Sequence, residues 1–423
     1  MVSRDPLQLV SEYALRLKRL VVVVDGRPLF KNGAREVMEE LRFDVAKLIV
    51  GEALDSAVDW ITRFNESVDR LKAALRVRDV VLPKELRSFI RDPLGHLSKK
   101  LYQVTLDLAR GRVEPAWYYS KARSILSTSI STNMRSIYQY WVLVSLLAEY
   151  GYKGGVLIYP EHGYLHIERS GKQRSGSIPA NAVVRLPGAR EASFYAEAPR
   201  PVGWGDSRGL ERAWRLYTSL RPDFIVYSGR VLDMVEYRDE GVGIRRPNVI
   251  IECKELPDWY EKTRYLKGPI NRDFTAEEWY SRWFEGLKEG LALILGEDVQ
   301  SAKKSVEGVR VKEYKLVLLY REVYNPDTLI LVSRSTLPAT VKRELESEGV
   351  VVIDDAKIGD TKRIRELADE VEKYFQLVKE GPLDELEHQL WLRGVPIERS
   401  KLEEVLARIA IERMEEIIGR LKE

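Results

Sequence analysis

The stretches RPDFIVYS at 221–228 and NVIIECKE at 248–255 decide the fold of this chain. Each contains an apolar run rich in β-branched and aromatic residues, and such runs are typical of β-strands. Asp223, Glu252 and Lys254 stand at the ends of these runs. Because side chains alternate along a strand, Glu252 and Lys254 leave the same face of the sheet. Carboxylates and an ammonium on one face make a poor core, so we predict a functional site there.

Carboxylate oxygens at this place suit a hard cation, since Mg²⁺ binds oxygen ligands and keeps several waters. A neighbouring lysine can orient a water or meet the charge that develops on a phosphate. The alternative interpretation is a surface hairpin on which Glu252 and Lys254 form an ion pair, and exposed pairs of that kind contribute little to stability.

Pro222-Asp223, a spacer and then Glu252-Cys253-Lys254 resemble the signature of the PD-(D/E)xK nuclease superfamily. The resemblance covers roughly residues 121–330. It implies an α/β protein with a restriction-endonuclease-like core, in which a mixed sheet is flanked by helices. It also implies hydrolysis of DNA with Mg²⁺ or Mn²⁺, as an endonuclease, with Asp223, Glu252 and Lys254 as catalytic residues. Asp223, Glu252 and the backbone carbonyl of Cys253 are the ligands that it predicts for the metal.

Two residues on the helix that precedes this core are candidate accessory residues. In several related nuclease groups a glutamate that follows a tyrosine on a similar helix adds a metal ligand, and the matching pair here looks like Tyr138-Gln139. An amide is a weaker ligand than a carboxylate, so Gln139 favours an alternative: a catalytically inactive nuclease-fold subunit that binds DNA or acts as a scaffold. Glu149 is the second candidate, provided that it faces the sheet.

Basic and aromatic residues on both sides of the motif are candidate contacts for nucleic acid. They are Arg169, Lys172 and Arg174 in a Gly/Ser-rich loop, and Trp259, Tyr260, Lys262, Arg264, Tyr265 and Lys267 after the second strand. Cations in flexible loops contact phosphates, and rings interleaved with cations suit stacking on exposed bases. The first loop can equally be a solvated hairpin tip.

The pattern of apolar residues divides the chain into three parts. Residues 1–120 have apolar side chains at three- and four-residue spacing and predict a helical N-terminal domain. Residues 121–360 form the predicted nuclease-like domain, and residues 361–423 a helical C-terminal segment. The last helix is amphipathic and either docks on its own domain or forms a homodimer.

Three apolar runs after the motif, at 314–320, 328–334 and 349–355, predict further strands with helical connections.

The histidines at 162 and 166 lie in another strand-like stretch, where a spacing of four residues separates them by about 13 Å. That separation argues against a zinc site.

The amino-acid composition excludes several classes of function and limits how the chain could bind DNA. With 68 basic and 65 acidic residues the net charge is only +3, so a DNA-binding surface must be a local patch. The single cysteine excludes a disulfide framework and any cysteine-built zinc or iron–sulfur site. We expect a cytoplasmic protein without a membrane partner, because the chain has neither a signal peptide nor a run of ~20 apolar residues.

High Glu, Arg and Lys with few Asn, Gln and Met indicate a thermophile. The chain has no P-loop motif, so any ATP hydrolysis would come from a partner such as a helicase or another DNA-processing subunit. The remaining alternative is a protein–protein adaptor. In that case the helical N- and C-terminal parts would bind other proteins, and the motif would have no catalytic role.

Overall fold

The chain forms two compact units. The helical unit comprises Met1–Asn65 and Leu82–Tyr140, and the sheet unit comprises Glu66–Val81 and Trp141–Glu423. A computed structural model describes residues 5–24, 27–167, 178–197, 222–238, 241–265, 310–377, 386, 390 and 399–421.

The helices are α1 (Pro6–Leu20), α2 (Ala34–Leu75), α3 (Lys84–Arg91), α4 (Pro93–Lys100), α5 (Tyr102–Ala109), α6 (Pro115–Tyr152), α7 (Glu313–Tyr324), α8 (Ala339–Ser347), α9 (Thr361–Glu372) and α10 (Arg399–Leu421). The strands are β1 (Val21–Val24), β2 (Arg27–Phe30), β3 (Asp79–Val81), β4 (Val156–Tyr159), β5 (Tyr164–His166), β6 (Ala182–Leu186), β7 (Arg190–Ala196), β8 (Phe224–Ser228), β9 (Val235–Arg238), β10 (Gly241–Ile244), β11 (Val249–Lys254), β12 (Thr263–Tyr265), β13 (Arg310–Lys312), β14 (Thr328–Ser333), β15 (Val350–Ile353) and β16 (Gln376–Leu377). One turn of 3-10 helix spans Trp259–Glu261.

The helical unit contains α1, the first part of α2, α3 to α5 and the first part of α6, together with the antiparallel hairpin β1–β2. Asp5 caps α1 by accepting a hydrogen bond from the backbone N–H of Leu7 at 3.1 Å, and Pro6 stands in the first turn. The predicted boundary at residue 120 falls inside α6, and the units instead divide after Tyr140. A continuous helix carries no linker composition, so the sequence did not mark this boundary.

The main sheet has the strand order β15-β14-β11-β8-β7-β6-β4, and the short β16 pairs with β7. β14 runs parallel to β11 and β15, whereas the pairs from β11 through β8, β7 and β6 to β4 are antiparallel. All residues of β6 and β14 are buried, as in sheets that are covered on both faces. The predicted mixed α/β class, a mixed sheet flanked by helices, is therefore confirmed.

One face of the sheet packs against α7 and the 3-10 turn. The residues that share this core are Tyr195 from β7, Ile225 and Tyr227 from β8, Ile250 from β11, Leu329 and Leu331 from β14, Trp259 from the turn, and Tyr314, Val317 and Leu318 from α7. Within each strand, every second residue contributes to this core. A residue two positions before or after such a core residue therefore points to the same face of the sheet.

The strand predicted at 314–320 is wrong, because these residues belong to α7. An apolar run of this length does not distinguish a strand from a buried helix. In the structure Tyr314, Val317 and Leu318 point to the core at helical spacing. Asn325 ends the helix in the left-handed conformation, with φ 44°. The strands predicted at 328–334 and 349–355 correspond to β14 and β15.

The first part of the predicted helical C-terminal segment, residues 361–423, packs within the sheet unit. α9 buries Ile364, Leu367, Ala368 and Val371, and β16 adds an antiparallel pairing to Arg190 and Glu191 of β7. Residues 361–377 therefore belong to the sheet unit. On α10, Leu402 is buried, whereas Val405, Ile409, Ile411 and Met414 are exposed. The homodimer stays a prediction.

None of the helices within the described ranges combines the length and the apolar character that crossing a bilayer requires.

Candidate active site

The ends of β8 and β11 bring the motif residues together. β8 and β11 pair with Val249 opposite Val226 and Ile251 opposite Phe224. Continuing this register by one residue sets Asp223 opposite Glu252, and directly opposed residues of an antiparallel pair point to the same face. The backbone N–H of Cys253 donates to Asp223 Oδ2 at 2.7 Å and ties the two strand ends together.

This face is the one covered by α7 and the 3-10 turn, because Ile250 of β11 and Ile225 of β8 already pack there. Glu252 and Lys254 continue the alternation of β11 beyond the apolar core. The site therefore lies where the core ends, at the C-terminal end of β11. Asp223, Glu252 and Lys254 are all brought to it, as the sequence predicted.

Lys254 lies between two carboxylates. Its Nζ donates to Glu252 Oε1 at 2.9 Å and to Glu313 Oε1 at 3.1 Å, and its side chain is only 12% exposed. Nζ also lies 5.7 Å from the centre of the Trp259 ring. Burial by itself would lower the pKa of Lys254, but Glu252 and Glu313 outweigh this effect and raise the pKa above its usual range. The two carboxylates therefore favour the charged form of Lys254.

Glu313 is a site residue that the sequence analysis missed. It is the first residue of α7, its side chain is 6% exposed, and its backbone N–H donates to the carbonyl of Lys262 at 2.8 Å. A carboxylate at this position interacts favourably with the positive end of the helix dipole. An acidic residue at the start of a helix is a weak signal in sequence, and the strand predicted for 314–320 concealed it.

Asp223 and Glu252 form a buried pair of acidic side chains. Burial, and next the nearby carboxylate of Glu252, raise the pKa of Asp223 well above its usual range. Glu252 Oε2 is buried and has no hydrogen-bond partner in the described parts of the chain. A buried acceptor without a partner is costly, and a cation shared with Asp223 would satisfy it.

Few side chains at this site could bind a metal ion. Among the described residues there is no group of three or more His, Cys, Asp or Glu side chains placed to hold a metal. Mg²⁺, however, is commonly bound by one or two carboxylates together with waters and substrate phosphates. Asp223 and Glu252 fit that pattern. The Cys253 carbonyl stays a predicted ligand, and the thiol of Cys253 is buried, which raises its pKa and keeps it protonated.

Glu197 is a second acidic residue that the sequence analysis did not select. It follows β7 with φ 42°, and its backbone N–H donates to the carbonyl of Asp223 at 2.7 Å. Its charge is among the smaller effects that raise the pKa of Asp223. Glu197 therefore adds negative charge beside the two motif carboxylates.

The accessory candidates have different positions. Gln139 is buried on α6 in the helical unit, and its contribution to the site stays a prediction. Glu149 is buried in the sheet unit, with Oε1 3.3 Å from Arg70 Nη2 and Oε2 3.7 Å from Arg365 Nε. These two arginines are structural partners of Glu149, and its role as an accessory ligand stays a prediction.

The residues predicted to contact nucleic acid after the motif differ in burial, and apart from Trp259 their contacts with nucleic acid stay predictions. Trp259 is 1% exposed and belongs to the core, so the prediction that its ring stacks on a base is wrong. Tyr260 is partly buried against the same core, and Lys262 forms an ion pair with Asp258 at 3.2 Å.

The other predicted contacts with nucleic acid fall into two groups. One group lies outside the described residues, and for the other group the structure describes the backbone but not the side chains. Arg169, Lys172, Arg174 and Lys267 belong to the first group, and Arg264 and Tyr265 to the second.

His162 and His166 are closer than a straight strand would place them. Their ring centres are 5.9 Å apart, because the chain turns at Gly163, which has φ +74°. His162 Nδ1 accepts a hydrogen bond from the backbone N–H of Tyr164 at 3.1 Å. The predicted separation is therefore wrong.

Comparisons of this chain with protein-family models, with curated proteins and with solved structures found no significant match.

Proposed function

We propose that this chain is a metal-dependent nuclease that hydrolyses phosphodiester bonds of DNA, as an endonuclease. The observation that carries the proposal is the convergence of Asp223, Glu252 and Lys254 at one end of the sheet, on one face. The order of elements supports it: antiparallel β7, β8 and β11 are followed by a helix and by β14 parallel to β11. This arrangement is consistent with the restriction-endonuclease-like core that the resemblance implies.

The residues fit a hard divalent cation, Mg²⁺ or Mn²⁺, held by Asp223 and Glu252. The fit rests on the buried Oε2 of Glu252, which has no hydrogen-bond partner among the described residues, and on the position of Asp223 beside it at the paired ends of β8 and β11. When bound, such a cation supplies Lewis-acid activation of the phosphate and lowers the pKa of a bound water.

Lys254 acts on the reacting groups in this proposal. Hydrolysis forms a bond between a water oxygen and phosphorus and breaks one P–O ester bond, which leaves a phosphate end and a hydroxyl end. Negative charge grows on the phosphate oxygens in the transition state, and a preorganised ammonium in a site of low exposure stabilises it. Lys254 has both properties, because two carboxylates hold its ammonium and its side chain is largely buried.

Replacing Lys254 by methionine tests the proposal. Purified wild-type protein should cut DNA with Mg²⁺ or Mn²⁺ and stop cutting when EDTA removes the metal. Lys254→Met should reduce the rate by about 10²–10³-fold, the usual contribution of one group that stabilises charge in the transition state. Lys315→Met is the matched control, since Lys315 lies on α7 and pairs with Glu344 at 3.6 Å. It should cut like the wild type.

A Lys254→Met protein that cuts as fast as the wild type would place the activity elsewhere. If the wild type binds DNA but cuts none with either metal, the inactive DNA-binding or scaffold alternative replaces the nuclease. A helicase or other DNA-processing partner and a cytoplasmic location are parts of the same proposal.

A further inference from the structure

The ammonium of Lys254 has two separate anionic partners. Glu252 belongs to the same strand, two residues away, whereas Glu313 comes from α7, 59 residues further along the chain. The side chains of both glutamates are 6% exposed. The second carboxylate therefore reaches Lys254 only because α7 packs on this face of the sheet.

Glu313 is held in place independently of Glu252. Its backbone N–H donates to the carbonyl of Lys262, which follows the 3-10 turn, and β13 immediately before it pairs with β12. The next turn of α7 is anchored by Tyr314 and Val317 in the core. A carboxylate fixed by backbone and core contacts can keep its position when the charge distribution in the site changes.

The charges explain why a second partner is needed. A divalent cation held by Asp223 and Glu252 would draw on the negative charge of Glu252 and would repel the ammonium of Lys254. Glu252 alone would then hold Lys254 weakly. Lysine is a flexible point charge with rotatable donors, and it would move away from the cation unless another anion retained it.

We propose, on the basis of the nuclease function above, that Glu313 is a positioning residue that retains the Lys254 ammonium at the reaction centre when Glu252 binds the metal. Glu313 acts through Lys254 and does not itself contact the phosphate. The wall formed by Trp259, whose Nε1 donates to Ser333 Oγ at 2.9 Å, limits the volume into which Lys254 can turn.

Glu313→Gln tests this role, because it removes the charge and keeps the shape. Loss of the partner that orients a metal ligand costs about 10–100-fold in activity, and we expect a loss of the same order for the partner that orients Lys254. We expect kcat for DNA cleavage to fall by that factor, with KM for DNA unchanged. Glu344→Gln is the matched control, since Glu344 contacts α7 through Tyr314 and Lys315. It should leave kcat unchanged.

A double-mutant cycle separates positioning from a general structural effect. If Glu313 acts through Lys254, Glu313→Gln should cause no further loss in a Lys254→Met background, because the residue that it positions is gone. An equal loss in both backgrounds would overturn the proposal. Glu313→Asp, which keeps the charge, should recover part of the rate.

The position of Lys254 in crystals soaked with Mn²⁺ gives a readout that does not depend on cleavage. In the wild type, Nζ should stay within hydrogen-bond distance of Glu313 with Mn²⁺ bound. In the Glu313→Gln variant, Lys254 Nζ should move out of hydrogen-bond distance of residue 313. In the Glu344→Gln control it should stay within that distance of Glu313. An unmoved Lys254 in Glu313→Gln would overturn the positioning role, even if the wild type cleaves DNA. Failure of the wild type to cleave would refute the nuclease function alone.

Discussion

Replacing Trp259 by alanine tests whether this ring belongs to the core or to a DNA-binding surface. The side chain is 1% exposed and packs between the sheet and α7. Its Nε1 also donates to Ser333 Oγ at 2.9 Å. Truncation of a buried tryptophan to alanine costs about 3–5 kcal/mol of stability. We expect the upper part of this range, because a hydrogen bond worth about 1 kcal/mol is lost as well.

Urea unfolding followed by far-UV circular dichroism measures this change without relying on tryptophan fluorescence. The transition of the sheet unit is the one that should move to lower urea. Tyr152→Ala is the control in the same unit, since this ring on α6 is 55% exposed and its loss should cost less than about 1 kcal/mol. Trp259→Phe should fall between the two variants, because it keeps most of the packing.

An unchanged urea midpoint for Trp259→Ala, together with weaker binding of single-stranded DNA, would refute the core assignment. It would restore the base-stacking role that the sequence suggested.

Two further predictions concern the charges that hold the sheet unit together. Glu191→Gln should lower the free energy of unfolding by about 3–5 kcal/mol, because it leaves the buried Arg185 without its anionic partner 2.8 Å away; a loss below ~1 kcal/mol in urea titrations would contradict this. Burial opposes ionisation of Glu372, but hydrogen bonds led by that from Lys153 outweigh it and lower its pKa. Because the folded pKa lies below the unfolded value of about 4.3, this stabilisation is complete above that value and is lost as the pH falls through the folded pKa. The stability difference between wild type and Glu372→Gln should therefore shrink in acid, and a difference that is independent of pH between 7 and roughly 3 would count against the ion pair.

The motif strands were predictable because their signal is local. The apolar runs that became β8 and β11 are flanked by charged residues, and alternation along β11 alone puts Glu252 and Lys254 on one face. The long helix α2 was equally clear from its repeating apolar residues. In each case the deciding interactions join residues that are neighbours in sequence.

The run at 314–320 shows where local reasoning fails. Its apolar residues satisfy either a strand or a buried helix, and packing against the sheet selected the helix. Trp259 shows the same limit, because an aromatic residue among cations suggests a binding loop, whereas the tertiary structure buries its ring.

By itself, then, the sequence determined the mixed α/β class, the motif strands and the shared face of Glu252 and Lys254. Only the tertiary structure decided that Asp223 lies opposite Glu252 and that Glu313 completes the environment of Lys254. The physical reason is the range of the interactions. Side-chain alternation follows from backbone geometry over a few residues. The pairing of β8 with β11 and the docking of α7 instead bury apolar surface from segments that are distant in sequence, and no local sequence pattern specifies which segments will meet.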